Sequence, residues 1–192
     1  MPTVSCAGRT SRRHRSRSPV STSFSTNSSV KLQRDLTSAP PALAADDHIR
    51  GEGSTLVFFF ADFECPYCAR AHGELATRAD RVRVVFRHFP VRSVHRRAFA
   101  LATAAEAAAR QGAFWEYADS LFVDQGRVDP PHLWERARKL GLDLERFERD
   151  RRSRAVAARV ERDIASGLRA GVVATPTFFV SGQRYTQTPP AL

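Results

Sequence analysis

The residues best suited to chemistry in this chain are Cys65-Pro66-Tyr67-Cys68. Cysteines three positions apart on a helical turn lie about 5–6 Å from each other, within the span a disulfide bridges. The tetrapeptide falls where a strand-like run gives way to a helical pattern, which puts Cys65 at a helix N-terminus. Free backbone N–H groups and the positive end of the helix dipole favour a thiolate there. A sulfur so stabilised is both a nucleophile and a good leaving group near neutral pH. Pro66 suits the first helical position, where its missing N–H would have gone unpaired anyway, and Tyr67 fills the slot between the sulfurs. The pattern fits a redox pair. It also allows half of a zinc site, with His72 as a third ligand on the same helical face, or a purely structural disulfide. Cys6, the remaining cysteine, stands in a segment of disordered composition and offers no fourth ligand, so no metal is assigned.

Around this motif the elements are legible from pattern. Leu56–Phe60 is a short continuous apolar run bounded by Gly53 and Asp62, as a buried central strand would be. A helix is expected from Cys65 to about Arg78, and Arg81–Arg87 alternates as a second strand. Strand, helix and strand in so few residues make a βαβ unit with parallel strands. From about 94 to 170 the chain reads as helical throughout. The first of these helices, His95 to Arg110, is Ala-rich and stops at Gly112. A second, aromatic segment runs through Phe114, Trp115, Tyr117, Leu121 and Phe122. Asp129-Pro130 marks another helix start and Gly141 its end, and Asp143 and Ser153 are N-caps for two more. Thr177–Val180 is then a strand, Ser181-Gly182 a turn, and Gln183–Thr186 a return strand.

The 192 residues, 42% of them hydrophobic, correspond to one domain with a tail. Residues 1–48, rich in Ser, Thr, Arg and Pro, are the expected disordered tail, and 49–192 the domain. Three cysteines cannot staple a fold, and no apolar span approaches the roughly 20 residues of a transmembrane helix. Arg12-Arg13 is not followed by the apolar stretch of about 7–15 residues that an export signal needs, although the Arg- and Ser-rich start also fits an organelle transit peptide. The default compartment is therefore the cytoplasm. A net charge of +10 invites a nucleic-acid reading, but 28 of the 30 basic residues are Arg spread over the whole chain, so no nucleic-acid partner is assigned.

Taken together, Phe60 to Cys68, then Arg87-His88-Phe89-Pro90, the helical block, and Thr175-Pro176-Thr177-Phe178-Phe179 resemble the DsbA-like branch of the thioredoxin superfamily. The likeness is greatest to the bacterial DsbA-like domain that also occurs fused to sodium/proton antiporters. The resemblance implies a thioredoxin-like mixed α/β sheet with an all-helical insertion between the second strand and the strand after Pro176. It implies Cys65 as the attacking or accepting sulfur and Cys68 as the resolving one. It also implies a cis Pro176 packed beside Cys65, with the backbone at Thr175 pairing with an extended substrate peptide next to Pro66 and Tyr67. The substrates would be protein or peptide thiols and disulfides, with a redox partner to recycle the dithiol and no cofactor. Two departures stand out. Relatives commonly carry a buried acid six residues before the first cysteine, where this chain has Phe59, leaving water, Asp62 or Glu64 to serve Cys68. The closing C-terminal helix of the fold is missing from the sequence after Tyr185, so one sheet face is expected to be bare or covered by another surface.

The motif Cys-Pro-Tyr-Cys also occurs in glutaredoxin-type, glutathione-dependent reductases, but a small glutaredoxin domain would not contain the 108 residues from Cys68 to Pro176. A non-catalytic binding module on the same fold is the third reading, favoured by Phe59. His88 and His95 are read as capping or packing residues at the active-site end, Phe114, Trp115, Tyr117 and Trp134 as core, and Arg149–Arg154 as a solvated helix face.

Overall fold

The apolar run after Gly53 becomes the central strand of a mixed sheet in the computed structural model, which describes residues 39–186. In chain order the elements are β1 (His48–Arg50), β2 (Thr55–Ala61), α1 (Pro66–Ala76), β3 (Val82–His88), α2 (Ala98–Ala109), α3 (Phe114–Val123), α4 (Pro130–Lys139), α5 (Leu144–Arg151), α6 (Arg154–Arg169), β4 (Thr177–Val180) and β5 (Gln183–Thr186). The sheet runs β1-β3-β2-β4-β5. β2 and β3 are parallel, as the βαβ pattern requires, and the other pairs are antiparallel. β1 is too short to show a period and is invisible to pattern. It is held by pairing with β3 and by Arg50, which forms two hydrogen bonds of 2.9 and 2.8 Å to Asp119 and lies over the Trp115 ring.

The helices between β3 and β4 form the expected block. Alanines bury α2 over most of its circumference, and small side chains let α3, α5 and α6 pack on it closely. Asp143 accepts the Arg146 N–H and Ser153 that of Val156, as N-caps do. Asp129 stands at the N-cap of α4 but makes no capping bond; its carboxylate pairs with Arg97 at 2.8 Å. Gly112 and Gly141, with φ of +80° and +70°, end α2 and α4 in the left-handed region. The hairpin from β4 to β5 turns on Ser181 and Gly182, both with positive φ.

Two expectations about the ends of the domain change. Residues 39–47, assigned by composition to the tail, instead pack on the domain through charge. The buried Asp47 carboxylate accepts from Arg87 at 2.6 Å, Arg87 also donates to the Ala42 carbonyl at 2.9 Å, and Asp46 pairs with Arg159 and Arg162 of α6. The rest of the expected tail, with Cys6, lies outside the described residues. The sheet face expected to be bare or covered by another surface is closed by the described chain itself. Phe58, Phe60, Val85 and Phe179 form a buried cluster with Phe89, Ala170 and Val172. Gly167 brings α6 close to Phe60 and Phe89, and Pro40 and Pro41 line a cleft with Phe58 and Phe179. The opposite face holds the larger core, which includes Phe59, Phe86, Leu101 and both described cysteines.

Candidate active site

β2 ends at Ala61, and the chain turns through Asp62–Glu64 into α1, whose N-cap is Cys65 and whose first residue is Pro66. The Cys65 carbonyl accepts from the amides of Cys68 and Ala69 at 3.0 and 3.2 Å, which begins the helix and places both sulfurs on its first turn. Cys65 is 4% exposed and Cys68 0%, whereas Pro66 and Tyr67 are exposed, Tyr67 by 60%. Both cysteines are free thiols. Opposite them, Thr175-Pro176 precedes β4, and the bond between them is cis. Pairing of β4 with β2, Thr177 opposite Phe60, carries this segment to the start of α1. There the Cys65 thiol donates to the Thr175 carbonyl at 3.6 Å.

The two sulfurs have opposite acidities. A hydrogen bond from the Cys68 thiol does most to favour the Cys65 thiolate, against the opposing effect of burial. With the amides of Cys68 and Tyr67 and with Thr175, it lowers the Cys65 pKa from 9.0 to about 6. Cys68 is driven the other way, by burial first and then by its bond to Cys65, so its thiol holds its proton through the whole physiological range. Such a pair can attack or accept at Cys65 while Cys68 stays protonated in reserve.

The surroundings of Cys68 separate the acids weighed from the sequence. Phe59 lies in the larger core, stacked on Phe178 at 5.2 Å and edge-on to Phe86, and offers no proton acceptor. The Glu64 carboxylate accepts from the Arg97 amide at 2.7 Å in an exposed position. Asp62 is 1% exposed, and its amide donates to Cys68 Sγ at 3.5 Å. Its carboxylate accepts from the amides of Glu64 and Val91 at 2.9 and 2.8 Å and pairs with His95 Nδ1 at 2.8 Å. His95, read as capping or packing, is thus a partner of the loop that meets Cys68. Gln125 was not anticipated at all; its amide donates to the carbonyls of Phe63 and Cys65 at 2.7 and 3.0 Å, tying α1 to the end of α3. Its neighbours Asp124, Gly126 and Arg127 are those of an ordinary polar loop, so nothing in the sequence singled it out.

His72 does not join the cysteines as a metal ligand, since its Nε2 pairs with Asp119 at 2.7 Å and its ring packs on Phe122. Among the described residues one group has metal-donor types close together: His48, His88 and Glu106. Both imidazoles direct Nε2 at the same Glu106 oxygen at 2.8 Å, and Arg159 stands 3.9 Å from it. Moving the His88 proton to Nδ1, as metal binding at Nε2 requires, would leave a buried donor without a partner. As it stands the group is a hydrogen-bonded network centred on one Glu106 oxygen.

Comparison with known proteins agrees with this fold. The thioredoxin family model matches residues 44–191. A Na(+)/H(+) antiporter NhaA 3 of Salinispora tropica is 44% identical over 144 residues, which are 72% of this chain and 22% of that protein. The chain thus spans about a fifth of the length of such curated relatives. Among solved structures, a thioredoxin-like oxidoreductase from Silicibacter pomeroyi is 29% identical with a TM-score of 0.69, over 76% of this chain and 86% of that one. The thiol-disulfide exchange protein alpha-DsbA2 from Wolbachia pipientis shares the fold at 16% identity and a TM-score of 0.64, over 79% and 80% of the two chains.

Proposed function

Because this chain belongs to the thioredoxin family, in its DsbA-like form, we propose that it is a dithiol–disulfide oxidoreductase exchanging disulfides with protein or peptide substrates through Cys65 and Cys68. The observation that carries the reading is the pairing of a stabilised Cys65 thiolate with a buried, protonated Cys68 on one helical turn. The relatives with oxidoreductase and thiol-disulfide exchange in their names support it. The antiporter relatives share only this domain, and no helix among the described residues is long and apolar enough to cross a membrane.

In the oxidising direction, a substrate thiolate attacks Cys65 Sγ of the disulfide form. The Cys65–Cys68 bond breaks, its electron pair passes to Cys68, and Cys68 takes up a proton. A second substrate thiolate then attacks the substrate sulfur of the mixed disulfide, leaving the substrate oxidised and Cys65 a thiolate. In reverse, the Cys65 thiolate attacks a substrate disulfide and Cys68 resolves the product. Stabilising the Cys65 thiolate stabilises the dithiol form and so favours the oxidising direction. A redox partner must then restore the disulfide. Thr175, Pro176, Pro66 and Tyr67 frame the accessible side of Cys65, where the extended substrate would lie.

Thiol trapping in graded glutathione buffers tests the proposal. The expected result is a reversible Cys65–Cys68 disulfide whose midpoint gives the reduction potential. No reversible disulfide at any poise would leave a binding module as the function of the fold.

A further inference from the structure

We propose that His95 is a positioning residue for the chemistry at Cys68, acting through Asp62; the inference rests on the dithiol reading above. Cys68 is fully buried, and the group that meets its sulfur from the β2–α1 loop is the Asp62 amide at 3.5 Å. That amide is held in place by its own side chain. One carboxylate oxygen accepts from the Glu64 amide within the loop, and the other from the Val91 amide and His95 Nδ1 beyond β3. A carboxylate has no proton to give, so His95 donates Nδ1–H. The other ionisable groups of this region are engaged elsewhere: Glu64 with the Arg97 amide, and the Arg97 guanidinium with Asp129. Phe59, six residues before Cys65, is fully buried and offers no proton acceptor.

Negative charge develops on Cys68 Sγ in both directions of exchange. When a substrate thiolate opens the Cys65–Cys68 bond, the electron pair leaves on Cys68. When Cys68 resolves a mixed disulfide, its proton passes to water, its sulfur bonds to Cys65, and the substrate sulfur departs as a thiolate that takes a proton from water. An N–H held toward the buried sulfur stabilises that charge. Attack by the Cys65 thiolate on a substrate disulfide places no charge on Cys68. The clamp should therefore matter for one step and not the other.

The test uses the reduced full chain and a synthetic peptide disulfide, with rapid acid quench and mass spectrometry. The mixed disulfide at Cys65 should appear at the wild-type rate in His95→Phe but decay about tenfold more slowly, so that it accumulates. His95→Asn, whose side-chain amide can donate in place of Nδ1, should restore the decay. Equal slowing of both steps, an unchanged decay in His95→Phe, or no rescue by Asn would each overturn the proposal. A wild-type chain that yields neither mixed disulfide nor reduced peptide would overturn the dithiol reading, and this inference with it.

Discussion

Cys65 Sγ lies 3.6 Å from the carbonyl oxygen of Thr175, a residue 110 positions later in the chain. The contact exists because β4 returns antiparallel beside β2, with Thr177 opposite Phe60, so the residues just before β4 meet those just after β2. The helical block between them can vary in length without disturbing this junction, since β2 and β4 are neighbours in the sheet. The reactive sulfur thus sits between a helix start, which supplies N–H groups, and a backbone segment with its carbonyl turned toward the sulfur.

Cys65 should react with iodoacetamide at a rate that rises through pH 6 and then levels, because its thiol pKa is lowered to about 6. Cys68 should remain unmodified in the folded protein over the same range, held protonated by burial. Peptide mapping at each pH separates the two. The shift also bears on the stability of the reduced form. The folded pKa of about 6 lies below the ordinary 9.0, so the unfolded chain binds more protons in this window. Stability of the dithiol form should therefore rise with pH between these values, and the contribution should be lost as pH falls through about 6. Urea midpoints of the reduced protein across this range, compared with the oxidised form, check it.

Replacing Gly167 with Ala sets helix propensity against packing. In the interior of an exposed helix the change would gain about 1 kcal/mol. Here a Cβ would stand 2.7 Å from Cδ2 of Phe89 and 3.1 Å from Cδ1 of Phe60. Phe89 is buried edge-on against Phe60 and has little room to yield. Overpacking of this kind costs about 1–3 kcal/mol, so Gly167→Ala should be net destabilising. A raised urea midpoint would show that the ring moves aside.

Much of this site could be read from the sequence because its parts are local. Cys65, Pro66 and Cys68 lie on one helical turn, and the N-caps Asp143 and Ser153 act within three residues of themselves. The change of period between apolar runs and the helical block showed the βαβ unit and the helices after it, while the thioredoxin-like class came from the resemblance of the motifs in their order. What pattern could not show were contacts between distant polar groups. The bond between His95 and Asp62 spans 33 positions, and Gln125 reaches back 60 to the Cys65 carbonyl. Neither residue belongs to a periodic stripe. β1 was missed because three residues show no period, and residues 39–47 because composition does not reveal that Asp47 meets a buried arginine.

Asp47→Ala should destabilise the domain by about 3 kcal/mol, because it strips a partner from a buried charge. Arg87 is 6% exposed at its side chain, and Asp163, its other carboxylate, is 3.9 Å away and also bound to Arg159. The deletion leaves the guanidinium with a hydrogen bond to Ser166 and one to the Ala42 carbonyl, on the segment that Asp47 helps to anchor. Chemical denaturation of the variant reads the loss directly. A change below about 0.5 kcal/mol, as for an exposed pair, would show that residues 39–47 do not contribute to the folded domain.

Phe59→Glu places an acid six residues before Cys65, where the DsbA-like resemblance implies proton exchange with Cys68, and two effects then compete. The ring is 0% exposed and stacked on Phe178 at 5.2 Å, with Phe86 edge-on at 5.8 Å. Removing it forfeits that packing and buries a carboxyl among aromatic rings, which together should cost about 3–5 kcal/mol. Burial also raises the pKa of the new acid, which makes it a better match for accepting a thiol proton. The variant should therefore unfold at markedly lower urea yet, at temperatures where both proteins are folded, resolve mixed disulfides faster than wild type. Measuring both quantities on one preparation separates them. A resolution rate unchanged at matched folding would mean that proton removal from Cys68 does not limit exchange, and that Phe59 is kept for the packing of β2 against β4 alone.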